Sequence, residues 1–256
     1  MNLIGSVVIA FSMYSKIPMP RVEWTKERMR CAMCFFPAVG LVICLVFCGL
    51  SLLYDRISGN GELFFVMLGT VTPLLITGGI HMDGFLDVTD ARSSYGTRKK
   101  KLEILKDPHT GAFAIIGFGV YMLLYAGAFS VLSGSDILIF SGTFVLTRAL
   151  SGLSVVTFPM AKEDGLAATF SGMSMKRTVI ASMVVYIILS GVYLVLAGGI
   201  PGVAVLLGAV ITFYWYYKMA VREFGGITGD LAGYFLQICE LVILLIICFF
   251  RLVLVG

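Results

Sequence analysis

The chain has 256 residues, of which 59% are hydrophobic and only 13% charged, with a net charge of +4 and a mean hydropathy of +0.97. Ordinary globular domains carry roughly 25% charged residues, so this chain has too little polar surface to cover a water-soluble protein and reads as an integral membrane protein. The same numbers exclude a disordered chain, a nucleic-acid binder and a disulfide-stapled secreted scaffold, and the six cysteines, all in or beside apolar stretches, read as buried thiols.

In chain order, the first apolar run covers residues 3–14. It has no basic leader and no small-residue cleavage site, so it is not expected to be a cleaved signal peptide. It is also shorter than the roughly 20 residues a crossing needs. The run is therefore predicted as a re-entrant or interfacial helix ended by Pro18 and Pro20. Seven longer apolar stretches follow, at 31–54, 62–80, 112–132, 137–158, 178–197, 201–218 and 236–254. Pro73 and the Gly78-Gly79 pair predict a bend in the second. Glycines such as Gly111, Gly117, Gly119 and Gly127 suit close helix packing. The expected fold is all-α: one membrane domain over residues 1–256, a polytopic bundle of six to seven transmembrane helices plus the short N-terminal helix.

Sixteen of the 19 basic residues fall in the N-terminal segment and alternate connections, on one side of this arrangement. The other side holds only Arg56 and Arg251, and Arg148 lies within a span. By the positive-inside rule the crowded side is cytoplasmic. The opposite connections are short, so any chemistry is expected on the cytoplasmic side.

The densest polar group is His81-Met82-Asp83-Gly84-Phe85-Leu86-Asp87-Val88-Thr89-Asp90. Asp83, Asp87 and Asp90 stand at i, i+4 and i+7, which on a helix places three carboxylates on one face. Like charges beside a bilayer repel and resist desolvation. A hard cation answers both, because Mg²⁺ takes carboxylate oxygens and leaves room for substrate phosphates. The competing reading is a solvated acidic face where a helix leaves the membrane.

The next segment runs Arg98-Lys99-Lys100-Lys101-Leu102-Glu103-Ile104-Leu105-Lys106-Asp107-Pro108-His109-Thr110-Gly111. Lys99, Lys100 and Lys101 read equally well as a cationic face toward anionic lipid. Glu103 and Asp107, at i and i+4, suggest a second acidic stripe, and His109 reads as a polar turn residue. The third group is Gly225-Gly226-Ile227-Thr228-Gly229-Asp230-Leu231-Ala232-Gly233, whose glycines permit close backbone approach to an anion. Asp230 is a further candidate metal ligand. Glu240 in the last span needs the site or a partner, and Arg148 is expected in the bundle interior, on a phosphate or in an ion pair. Acids for metal, glycines for phosphate and basic residues for anions together indicate phosphoryl chemistry.

These residues resemble the cobalamin synthase family, the adenosylcobinamide-GDP ribazoletransferases. The likeness rests on GGIHMDGFLDVTDA at 78–91, KLEILKDPHTGAFAIIG at 101–117, AKEDGL at 161–166, GGITGDLAG at 225–233 and KIPMP at 16–20. Many family members have Gly where this chain has Ala91. The resemblance implies a multi-pass, Mg²⁺-dependent transferase of the cytoplasmic (inner) membrane. It would join a corrinoid nucleotide, adenosylcobinamide-GDP, to α-ribazole or its 5′-phosphate, yielding adenosylcobalamin or its phosphate plus GMP. On this reading His81, Asp83, Asp87 and Asp90 are catalytic, and Asp83, Asp87, Asp90 and Asp230 hold metal. Arg98, Glu103, Lys106, Asp107, Gly226, Thr228 and Gly229 bind substrate. The partners are the two substrates and the lipid bilayer, with a homodimer left open.

Two other readings are weighed. A phospholipid-making CDP-alcohol phosphatidyltransferase would carry D-x-x-D-G-x-x-A-R, but here Ala91-Arg92 follows Asp90 directly. A cation transporter would place its acids near the bilayer midplane, whereas these lie at a span boundary.

Overall fold

Inside a bilayer no water is available to backbone N–H and C=O groups, so crossing segments must satisfy them internally. The computed structural model, which describes residues 3–57, 61–162, 169, 172 and 175–254, meets this requirement with helices, and among the described residues there are no strands. Buried hydroxyls follow the same rule. Thr70, Thr72 and Thr77 each donate to the carbonyl four residues back.

Helix α1 (Leu3–Tyr14) is followed by α2 (Lys26–Met29), a 3₁₀ turn at Ala32–Phe35 and α3 (Phe36–Ile57). Then come α4 (Glu62–Thr77), α5 (Ile80–Ser93), α6 (Arg98–Ile104), α7 (Ala112–Ser130), α8 (Gly134–Thr157), α9 (Lys176–Phe224) and α10 (Gly229–Leu254). Five helices are long and apolar enough to cross a membrane, or six if the bent pair α4–α5 is one span. As expected, α1 is too short to cross, with 12 residues.

The bend predicted at Gly78-Gly79 is real and sharp. Both glycines are left-handed (φ 66° and 77°), and α5 leaves α4 at 95°. The backbone N–H of Lys16 donates to the Ile76 carbonyl at 2.8 Å, which ties the N-terminal segment to this corner.

The stretches read as the fifth and sixth spans form one element, α9. Its 49 residues would run about 73 Å if straight, far more than a bilayer core. The helix breaks at Gly199 (φ 53°, ψ −125°), just before Pro201. Its arms then fold back, because Gly202 has no side chain to clash with the Leu194 carbonyl. The last span begins at Gly229 rather than near 236, so most of the third polar motif is the first turns of α10.

Helix α8 is the axis of the bundle, packed on α3, α9 and α10. Glycines allow this closeness: Gly40 of α3 meets the Phe144 backbone, and Gly142 and Gly152 of α8 meet Tyr193 and Met183 of α9. Of the four glycines expected to pack, Gly111 and Gly117 lie against Asp90 and Thr89, while Gly119 and Gly127 have no neighbour. Exposed apolar side chains such as Leu123, Leu196 and Ile211 remain on the outer faces of α7 and α9, as lipid-facing residues should. All six cysteines are free, and Cys31, Cys34 and Cys239 are buried.

Candidate active site

The site forms where α5 and the start of α10 meet. Gly84 makes this possible, because a Cβ there would stand 2.6 Å from the Asp230 carbonyl oxygen. One turn further along α10, Gly233 packs against the His81 backbone. These two close approaches bring the first and third polar motifs together.

Asp83, Asp87 and Asp90 all lie on helix α5, as their spacing predicts. The Asp83, Asp230 and Asp90 charges each act on Asp87. Desolvation first, then these three neighbours, push the Asp87 carboxyl up to about 6. Asp90 lies against the Cα of Gly111, so the turn before α7 has no room for a side chain there.

Thr228 caps α10: its hydroxyl accepts from the Leu231 N–H at 3.2 Å and donates to Asp230 at 3.3 Å. Gly226 (φ 155°) sits against the Pro159 carbonyl, which also accepts from Ile227 N–H at 2.8 Å. The Ala161 N–H donates to the Ile227 carbonyl at 2.9 Å. This short bridge carries Lys162 toward Asp230, on which its charge acts.

A cavity of about 450 Å³ opens at this junction. Asp83, Asp230, Thr228, Gly229, Lys106 and Lys162 surround its polar part. His81 lies in its wall, 4% exposed, stacked on Tyr14 and edge-on to Phe36, and its Nε2 is buried without a hydrogen-bond partner. The cavity therefore gathers His81, Asp83, Lys106, Thr228, Gly229 and Asp230 from the predicted set, while Asp87 acts on the group electrostatically.

Other predicted residues stand elsewhere. The Arg98 Nε donates to the Arg222 carbonyl at 3.0 Å. Glu103 is exposed and pairs with Lys100 at 3.8 Å. Asp107 is exposed in a turn, where it accepts from the His109 backbone at 3.0 Å and contacts the His109 ring at 2.7 Å. These bonds hold the Asp107 carboxyl below the usual range. The second acidic stripe does not form, because α6 ends at Ile104 before Asp107 is reached. Lys101 is also not a lipid-facing charge. It is buried and pairs with Glu223 at 2.6 Å, unlike the exposed Lys99 and Lys100. Residues 163–166 of the AKEDGL motif lie outside the described residues.

Two ion-pair groups support the site. Arg148 and Glu240 pair at 2.5 Å, each 1% exposed, with Thr147 bonded to both. Of the two fates expected for Arg148, the ion pair is the one formed. Glu223 binds Lys101 and Arg92, and Arg92 also donates to the Tyr234 hydroxyl at 2.8 Å and lies over Trp215. Nothing in the sequence marked Glu223 as a hub.

For a metal ion, the donors on offer are hard carboxylates, Asp83 and Asp230, with Lys106 and Lys162 in the same lining. Among the described residues, no group of three or more His, Cys, Asp or Glu is drawn together as a metal cage. Mg²⁺ needs only one or two protein carboxylates, with waters and substrate phosphates completing its shell, and Asp83 and Asp230 are the two that line the cavity. This pair does not suit a closed, all-protein site.

A family model described as cobalamin-5-phosphate synthase matches residues 6–248. An adenosylcobinamide-GDP ribazoletransferase of Lachnoclostridium phytofermentans is 50% identical over 94% of this chain and 92% of its own length. A Clostridium botulinum (strain Alaska E43) protein of the same name is 34% identical over 97% of this chain and 99% of its own. One from Pseudomonas savastanoi pv. phaseolicola is 32% identical over 86% and 88%. No solved structure matches. The chain belongs to the cobalamin-5-phosphate synthase family.

Proposed function

We propose that this family member is an adenosylcobinamide-GDP ribazoletransferase of the cytoplasmic membrane, dependent on Mg²⁺ and with its site facing the cytoplasm. The observation that carries this reading is that Asp83 of α5 and Asp230 of α10 line one cavity, with both charges acting on the Asp87 carboxyl. It occurs in a chain 50% identical to a protein named for that reaction.

A hydroxyl of α-ribazole, or of its 5′-phosphate, attacks the phosphorus on the corrinoid side of the diphosphate. The new P–O bond joins the two substrates, and the bond to GMP breaks. Asp83, Asp87 and Asp90, with Asp230 from the facing helix, would hold Mg²⁺, which when bound neutralises charge on the diphosphate. A carboxylate of this set not engaged with the cation, or His81, takes the hydroxyl proton. Lys106 and Lys162 place positive charge at the same cavity. The N-terminus of α10 directs backbone N–H groups and its positive dipole end there.

The cytoplasmic placement rests on the sixteen basic residues that the sequence assigns to the N-terminal segment and alternate connections. The test uses purified protein in detergent with GDP-activated cobinamide, α-ribazole and Mg²⁺. GMP and the joined corrinoid should appear together, and absence of ribazole-dependent GMP release rejects the activity. Sealed vesicles test the sidedness: substrate added to inside-out vesicles should react, and substrate added to right-side-out vesicles should not.

A further inference from the structure

We propose that the inner part of the 450 Å³ cavity is the pocket for the aromatic base of the acceptor nucleoside, a flat, apolar, bicyclic ring held against an aromatic wall. The inference rests on the ribazole-transfer reading and goes beyond it by assigning one substrate to one chamber.

Polarity along the cavity supports the assignment. Of its lining, Asp83 and Lys106 are exposed and Asp230 and Lys162 half-buried, which sets them at the mouth, whereas Met33, Phe36, Val155 and Leu236 are buried and form the inner wall with Tyr14. A nucleoside has the same gradient, with an apolar base at one end and reacting hydroxyls at the other. With the base inside, the sugar hydroxyls reach the carboxylates. The walls also suit a planar ring. Tyr14 and Phe36 have centroids 4.2 Å apart, and His81 stacks on Tyr14 at 6.2 Å. Such a cluster offers flat faces and edges to an incoming ring.

Size excludes the other substrate from this chamber. A cavity of about 450 Å³ is in the range that encloses one small ligand, whereas a corrin macrocycle with its side chains is several times bulkier. A second cleft of about 530 Å³ shares Met13, Ile80 and Asp83 with the first, and it is lined by Lys16 and the Gly78-Gly79 corner. Asp83 therefore stands in the wall between two chambers, where two substrates have to meet. Neither cleft holds the whole donor, so only its diphosphate end has to reach the carboxylates.

Helix α8 lines the chamber with Ser151 and Val155, both nearly fully buried. Larger side chains at these positions grow into the space for the base. The test takes full-length protein in detergent and titrates α-ribazole alone, without donor, by calorimetry. Wild type should bind, and Val155→Phe should weaken binding at least tenfold. An adenine nucleoside, similar in size but more polar, should bind at least tenfold less well to wild type. In turnover, Val155→Phe should raise KM for α-ribazole at least tenfold and KM for the activated corrinoid less than twofold. Phe36→Leu, a milder change, should shift the same constants in the same direction, and it decides the matter if Val155→Phe does not fold. If both variants bind α-ribazole as wild type does, or raise only the corrinoid KM, the assignment is overturned while ribazole transfer stands. If wild type binds α-ribazole but releases no GMP, ribazole transfer fails and the pocket stands.

Discussion

Gly84 on α5 lies against the Asp230 backbone on α10, with no space between them for a side chain. The two residues are far apart in the chain, yet this contact sets the distance between the two acidic groups of the site. Gly84→Val should force the helices apart by about an ångström, a displacement that can lower a rate roughly 100-fold. Membrane insertion and mean helix content, read by circular dichroism, should remain. Near-normal turnover by this variant would show that the α5–α10 spacing does not govern the chemistry.

Asp83 borders both chambers. Asp83→Asn keeps the side-chain shape and removes the charge. It should abolish GMP release in purified protein that still inserts and unfolds at the wild-type temperature. Full GMP release from that variant rejects the catalytic role.

The buried Arg148–Glu240 pair predicts a strong asymmetry between single and double substitutions. Removing one partner leaves an uncompensated charge in the bundle and should cost about 3–5 kcal/mol. Arg148→Met and Glu240→Leu should each lower the thermal midpoint in detergent by many degrees. The double variant should recover most of the loss, since an apolar pair of similar volume replaces the ions. A double variant no more stable than either single one would mean that the pair has bonding needs beyond charge balance.

Asp87 sets a pH dependence whose sign follows from its raised pKa of about 6. The folded protein favours the protonated carboxyl more than the unfolded chain does, so the contribution of Asp87 to stability is greatest at low pH. It is lost as pH rises through about 6. In protein stripped of divalent ions, the thermal midpoint should therefore fall between about pH 4 and pH 6. Asp87→Asn should flatten that trend, and Mg²⁺ should restore the midpoint at the higher pH. A wild-type midpoint that rises over the same interval in the stripped protein contradicts the environment described for Asp87.

Lys100 and Lys101 separate lipid attraction from structure. Lys101→Met removes a buried partner of Glu223 and should destabilise by about 1–3 kcal/mol. Lys100→Met, at an exposed position, should stay within about 0.5 kcal/mol. Equal effects would place both residues in the same environment.

Much of the bundle was legible in the sequence because a long apolar run in a bilayer has one solution for its backbone. All seven apolar stretches are helical, and the proline and paired glycines do mark the sharp bend. The three-aspartate spacing also held, because a 3.6-residue period is local. Local pattern failed at helix ends. Glu103 and Asp107 have helical spacing, but the helix stops between them, ahead of Pro108. It failed again in the lysine run, where three identical residues in a row cannot show which one meets Glu223. The inner wall of the cavity was not legible at all, because Tyr14, Phe36, Ser151 and Val155 are ordinary letters in apolar stretches.

The sequence by itself determined the membrane class, the uneven spread of basic residues among the connections and the placing of three aspartates along α5, since hydropathy and helical period depend only on neighbours along the chain. Tertiary structure alone decided that Arg148 pairs with Glu240, 92 residues away, that Asp230 joins the α5 carboxylates, and that α1, α3, α8 and α10 enclose one chamber. Each of those outcomes depends on how closely helices approach, and that is set by glycine contacts and side-chain packing between segments distant in the chain.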